Sequence, residues 1–164
     1  MIATDIAKAL ADGRRCVVLS DRKEHLATLE GLLTETAPLG AKHIYRIFGT
    51  MGKKARAAVL AKISCLAEEG AGFVLLATSS LVGEGFDLPQ LKTLFLTLPV
   101  SFKGRIIQYA GRLHRACEGK SDVQIYDYSE PDHPLTSHML RKRMTAYRSM
   151  GYRIAEDAAD DGVD

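Results

Sequence analysis

No apolar run in these 164 residues approaches the roughly 18 to 20 needed to cross a membrane, and no signal peptide opens the chain. Membrane and fibrous classes drop out, and a cytoplasmic address is the default expectation. Cysteine is scarce. Cys16, Cys65 and Cys117 are odd in number and show no C-x-x-C spacing, which argues against a disulfide framework or a zinc finger. They read as small core residues. Five histidines give no paired ligand spacing either: His114 and Cys117 are one turn apart but lack a second pair to complete a tetrahedral site, so no metal site is expected.

Phosphate-loop signatures are also missing. Gly119-Lys120-Ser121 imitates the tail of a P-loop, but His114 stands where its first glycine belongs, and the run precedes a strand instead of following one. Gly52-Lys53 fails likewise, with Ile47 and Lys54 in place of Gly and Ser or Thr. No D-E dipeptide is present to hold a magnesium ion, and no G-x-G-x-x-G follows the first strand-like run, which disfavours a dinucleotide-binding enzyme. Internal repeats, low-complexity segments and linkers are absent.

What is there fits one domain able to close one sizeable core. The net charge of +2 is unevenly laid out. Residues 101–120 carry five Lys or Arg against one Glu, residues 141–153 carry five with no acid, and residues 154–164 carry five acids with no base. Such runs are usually solvated faces; a phosphate partner needs more than charge.

Apolar spacing predicts a helix from Ile2 to Leu10, ended by Asp12-Gly13, and then a strand at Cys16–Ser20 buried on both faces. A second helix follows through Leu26, Leu29, Leu32 and Leu33, capped by Ser20 or Asp21. His43–Phe48 reads as a strand, Lys53–Ala67 as a helix, Phe73–Ala77 as a buried strand, Leu91–Leu98 and Val123–Tyr128 as further strands, and Leu135–Met150 as a last helix. On that last helix Leu140, Met144 and Tyr147 share a stripe, with Arg141, Lys142 and Arg143 largely off it; that basic face suits nucleic acid, but snorkelling surface residues are the preferred reading. Strands alternating with helices at this rhythm give a three-layer α/β domain with a mainly parallel sheet over residues 1–154. Residues 155–164 form an acidic tail with too little apolar content to order itself.

Two stretches carry chemistry. In K-G-R-I-I-Q-Y-A-G-R-L-H-R-A-C, Lys103 to Cys117, a helix would place Gln108, Gly111, Arg112 and Arg115 at i, i+3, i+4 and i+7 on one polar stripe, with Ile106, Ala110, Leu113 and Cys117 opposite. Guanidinium forks at fixed separation suit phosphate oxygens. In G-F-V-L-L-A-T-S-S-L-V-G-E-G-F-D-L-P, Gly72 to Pro89, hydroxyls follow a buried strand at its carboxyl end, where open α/β sheets hold their ligands. Gly83 and Gly85 offer bare backbone N–H groups, and Asp87 a fixed acid.

Together these closely resemble two motifs in the second RecA-like domain of superfamily 2 helicases and translocases. Q-Y-A-G-R-L-H-R matches Q-x-x-G-R-x-x-R, motif VI, and A-T-S-S-L-V-G-E-G-F-D is similar to motif V, about twenty residues upstream. The resemblance covers roughly Cys16 to Tyr128. It implies a carboxyl-terminal RecA-like, P-loop NTPase-like domain working on ATP with Mg²⁺ at a cleft between two domains. Arg115 and Arg112 would be arginine fingers and Gln108 would hold the nucleotide or its attacking water; Gly85, Asp87 and Gly111 would lie near the nucleotide. Thr78 and Ser79 from motif V, and Ser20 and Asp21 from a strand and turn corresponding to motif IV, would meet the nucleic-acid backbone, DNA ahead of RNA. Gly49 and Arg56 suit recurring positions of the family, although Gly49 also suits a plain turn.

The chain departs from the family's whole pattern in having neither P-loop nor magnesium carboxylate. Alone it is expected to be inactive, the P-loop lysine and the metal site coming from an amino-terminal RecA-like domain in the same or a partner chain. The alternative is a non-catalytic RecA-like module binding nucleic acid or protein. Retention of both arginines and of Asp87 speaks against it.

Overall fold

A computed structural model describes residues 1–36, 43–83, 87–97, 103–114, 122–128 and 134–155, without side chains at 82, 83, 103–106 and 134–136. Among the described residues, eleven elements follow one another: α1 (Ile2–Ala11), β1 (Arg15–Leu19), α2 (Lys23–Thr36), β2 (Ile44–Ile47), α3 (Lys53–Glu68), β3 (Phe73–Ala77), α4 (Ser80–Gly83), β4 (Thr93–Leu96), α5 (Lys103–Leu113), β5 (Gln124–Asp127) and α6 (Pro134–Ser149). The five strands form one sheet in the order β2-β3-β1-β4-β5, every pairing parallel.

Parallel strands covered on both faces need apolar residues at every position. In β1, β3 and β4 every residue is buried. Their side chains divide by alternation. Cys16, Val18, Val74, Leu76 and Phe95 face α1 and α2, meeting Ile6, Ala9, Leu26, Leu29 and Leu33. Val17, Leu19, Phe73, Leu75, Ala77, Leu94 and Leu96 face the other way, against Ile63, Ala67, Leu81, Tyr109, Leu113 and Tyr147 from α3, α4, α5 and α6. The expected three-layer architecture is present, with a fully parallel sheet.

Three expectations need correction. Arg143 is not on a solvated face: it is 2% exposed, its guanidinium turned onto the Asp127 carboxylate at the end of β5 through two hydrogen bonds. Cys65 is exposed, since Ile63 and Ala67 carry the buried stripe of α3 and Cys65 falls about 200° from Ile63. The expected strand at Leu91–Leu98 is shorter, β4 spanning Thr93–Leu96: Leu91 closes a turn by donating to Leu88 O, while Lys92 already bonds Arg15 and Gln124 on the neighbouring strands; Leu98 lies outside the described residues. So do Cys117 and the acidic tail from 156 onward.

Candidate functional site

Strand register creates the site. Leu19, the last residue of β1, pairs with Ala77 and Leu96, the last of β3 and β4, and Ile47 of β2 also pairs with Ala77. Asp127, the last of β5, pairs with Leu96 as well, so all five strands end level, and whatever follows them emerges on one edge. The ladder runs one step further: the Ser20 N–H donates to Ala77 O at 3.1 Å and the Thr97 N–H to Leu19 O at 3.2 Å.

Ser20, Thr78 and Thr97 are all buried at this edge, and buried hydroxyls require partners. Thr97 Oγ1 donates to Leu19 O at 3.1 Å. Thr78 Oγ1 accepts the Gly49 N–H at 3.3 Å and shares a hydrogen bond with Ser80 Oγ at 3.1 Å. Ser20 Oγ accepts the Arg22 N–H at 3.2 Å and lies 3.2 Å from His25 Nδ1, which also stands 3.4 Å from Thr97 Oγ1. Neither Ser20 nor Asp21 takes the expected N-cap position: Arg22 does, its carbonyl accepting the first α2 bond from Leu26 at 3.2 Å, and Ser20 instead holds the Arg22 N–H just ahead of the helix. Burial, and then the Arg22 charge, hold His25 below its ordinary pKa, so its neutral form is favoured.

Gly49 does more than turn the chain. A Cβ there would stand 2.9 Å from Ser80 Oγ, so with any larger residue the Ser80 side chain would have to turn away for the β2–α3 loop to lie this close to the β3–α4 loop. Two further contacts stitch the loops on the outside. Ser79 Oγ donates to Asp21 Oδ1, and Lys23 Nζ donates to Thr50 Oγ1 at 3.2 Å. The rim is therefore continuous from the β2–α3 loop across β3 and β1 to β4. Hydroxyls and a lysine in such a row can hold phosphate oxygens in register without reading bases.

α5 supplies a second face. Tyr109, Ala110 and Leu113 are buried, while Gln108 and Gly111 are exposed and Arg112 is half-buried. Gly111 keeps the stripe open, with nothing within 4 Å of where a Cβ would be. The two faces touch: Tyr109 Oη donates to the Ser79 carbonyl at 3.4 Å. Asp87 is exposed ahead of buried Leu88, and Arg56 is half-buried one turn into α3. Gly85 and Arg115 lie outside the described residues.

The structure thus brings Ser20, Asp21, Thr78 and Ser79 together at one edge, and sets Gln108, Gly111 and Arg112 on one stripe. An amide and a guanidinium on an open stripe fit the anionic oxygens of a nucleotide. The donor set does not fit a metal, since no three His, Cys, Asp or Glu among the described residues gather closely enough to hold one. Sequence reasoning missed His25, Lys23, Thr50, Thr97 and Tyr109. Thr97 carries the signal of a hydroxyl just past a buried strand, as Ser80 does among the hydroxyls after β3; Lys23 and Thr50 carry none, being 27 residues apart and joined only by the fold.

The helicase conserved C-terminal domain family matches residues 2–117. The probable helicase D10 of Escherichia phage T5 is 28% identical over 141 residues, covering 86% of this chain and 29% of that protein. Among solved structures, the C-terminal part of the Fun30 ATPase domain matches with a TM-score of 0.65 at 15% identity, over 91% of this chain and 52% of that one. Mycobacterium smegmatis helicase Lhr, bound to ssDNA and AMP-PNP, matches with a TM-score of 0.63 at 15% identity, over 88% of this chain and 19% of that one. The chain spans less than a third of the phage relative's length.

Proposed function

Because this chain belongs to the helicase conserved C-terminal domain family, we propose that it works as the carboxyl-terminal RecA-like half of an ATP-dependent helicase or translocase. The observation that carries the reading is the join between its two faces. Tyr109, inside the Q-x-x-G-R-x-x-R stretch of α5, donates to the carbonyl of Ser79, and the hydroxyl of that same serine is held by Asp21. A nucleotide-facing helix and a phosphate-binding rim that share one residue are what a motor needs and a passive binder does not.

In this reading Ser20, Asp21, Thr78 and Ser79 hold the nucleic-acid backbone, with Lys23 and Thr50 extending the row. Gln108, Gly111 and Asp87 line the nucleotide side together with Gly85. Arg112 and Arg115 place guanidinium groups against charge that develops on phosphate oxygens in the transition state, an interaction stronger there than in the ground state. ATP with Mg²⁺, when bound, supplies the free energy of phosphoanhydride hydrolysis, and an amino-terminal RecA-like domain holds the metal and the P-loop lysine. Closing and opening of the two domains would then move the strand. DNA is the substrate to test ahead of RNA.

The test is ATP turnover in the intact motor. Arg115→Ala is expected to lower it by roughly three to five orders of magnitude, with nucleic-acid binding mostly intact, and the chain alone is expected to turn over no ATP. Normal turnover in the variant would remove the catalytic reading and leave a binding module.

A further inference from the structure

The family match ends at residue 117, yet the structure packs a later segment against the end of α5. α6 stops in a reversal at Gly151, whose φ of +83° suits glycine far better than any other residue. The Gly151 N–H donates to Arg148 O at 3.0 Å and the Tyr152 N–H to Tyr147 O at 3.0 Å, the paired bonds of a Schellman turn. That turn throws the Tyr152 ring back. It meets Tyr147 edge-on at 6.0 Å between centroids and His114 edge-on at 5.0 Å.

The backing behind this ring is firm. Tyr147 Oη donates to Asp127 Oδ2 at 2.7 Å, and Asp127 is also gripped by Arg143 through two bonds of 2.7 and 2.9 Å. A path of contacts therefore runs from a buried ion pair through Tyr147 and Tyr152 to His114, at the end of the helix that carries Arg112. Tyr152 Oη is itself buried and has no hydrogen-bond partner among the described residues, and burial pushes its phenol pKa up to about 12. The ring is held there by packing and not by its hydroxyl.

From this we infer that Tyr152 is a positioning residue for ATP hydrolysis: it fixes the last turn of α5 through His114 and so sets where the Arg112 guanidinium points. The inference rests on the proposed motor function. A misplacement of about 1 Å at such a group costs up to roughly a hundredfold in rate, whereas binding from outside the cleft is unaffected.

In the intact motor, Tyr152→Ala is expected to lower kcat for ATP by about ten- to a hundredfold, with the KM for ATP and the affinity for single-stranded DNA changed by less than about twofold. Tyr152→Phe keeps wild-type kcat, because the lost hydroxyl has no partner among the described residues. In an Arg112→Ala background, Tyr152→Ala adds little further loss, since both act through one group. On the chain itself, Tyr152→Ala speeds amide exchange at Leu113 and His114 while β3 stays protected. Wild-type kcat in Tyr152→Ala, or an undiminished further loss in the Arg112→Ala background, overturns the inference. Should Arg112→Ala itself leave turnover unchanged, the motor assignment of that arginine fails, and unchanged exchange at Leu113 and His114 would separately refute the packing role.

Discussion

Arg143 and Asp127 form a two-pronged ion pair in which neither partner reaches water freely: Nε meets Oδ2 at 2.7 Å and Nη2 meets Oδ1 at 2.9 Å, with side chains 2% and 10% exposed. Tyr147 adds a third bond to the same carboxylate at 2.7 Å, and burial first and the Asp127 charge second push its phenol well above the usual range. The pair pins α6 to the end of β5. Removing one partner strands the other's charge, so Asp127→Ala should cost about 3–5 kcal/mol, read from urea denaturation. Replacing both partners with apolar residues, Arg143→Met together with Asp127→Leu, should recover most of that loss. A double variant as unstable as the single one would show that the bonds themselves, and not the orphaned charge, decide stability.

Gly49 and Ser80 give a second prediction. A methyl at Gly49 would stand 2.9 Å from Ser80 Oγ, which is tied to Thr78 at 3.1 Å. Ser80 must then rotate away and give up that bond, so Gly49→Ala should cost about 1 kcal/mol. In a Ser80→Ala background the same change should cost almost nothing. Gly52→Ala, where nothing lies within 4 Å, is the control. Equal losses at Gly49 with and without Ser80 would place the strain elsewhere.

Lys23 extends the rim toward the β2–α3 loop by its 3.2 Å bond to Thr50. As a phosphate contact it should act on every sequence alike. Lys23→Ala is expected to weaken nucleic-acid binding uniformly and to reduce the slope of log K against log salt by about 1. Titrations at several salt concentrations decide it; a slope that does not change would take Lys23 off the nucleic-acid path.

Much of this arrangement was legible in the sequence, for reasons particular to each residue. Buried parallel strands announce themselves by continuous apolar runs, so Phe73–Ala77 was read to the residue. Ala110 and Leu113 follow from helical spacing alone, and both are buried. Ser20, Asp21, Thr78 and Ser79 came from resemblance, and the register of β1 with β3 accounts for their meeting. Arg143 was misread because periodicity places an arginine relative to its own helix and cannot see Asp127, 16 residues upstream, closing over it. Tyr109 and Tyr152 were invisible for the same reason: each matters through a partner that only folding supplies.

His25 makes the rim sensitive to pH. Its Nδ1 sits 3.2 Å from Ser20 Oγ and 3.4 Å from Thr97 Oγ1, joining the ends of β1 and β4, and burial with the neighbouring Arg22 holds its pKa below 6.5. The sign of the consequence is fixed. Above about pH 6.5 the imidazole is neutral in both the folded and the unfolded chain, and the stability it contributes is fully present. As pH falls from there, the unfolded chain takes up its proton first, so stability is lost until the folded imidazole also titrates. A His25→Asn variant keeps a hydrogen-bonding side chain but has no proton to take up at these pH values. Its unfolding free energy should therefore fall less than the wild type's between about pH 7 and pH 5. Urea midpoints for both proteins at each pH measure the difference. Parallel pH profiles would mean that His25 titrates alike in both states, and the polar rim would then owe nothing to its burial.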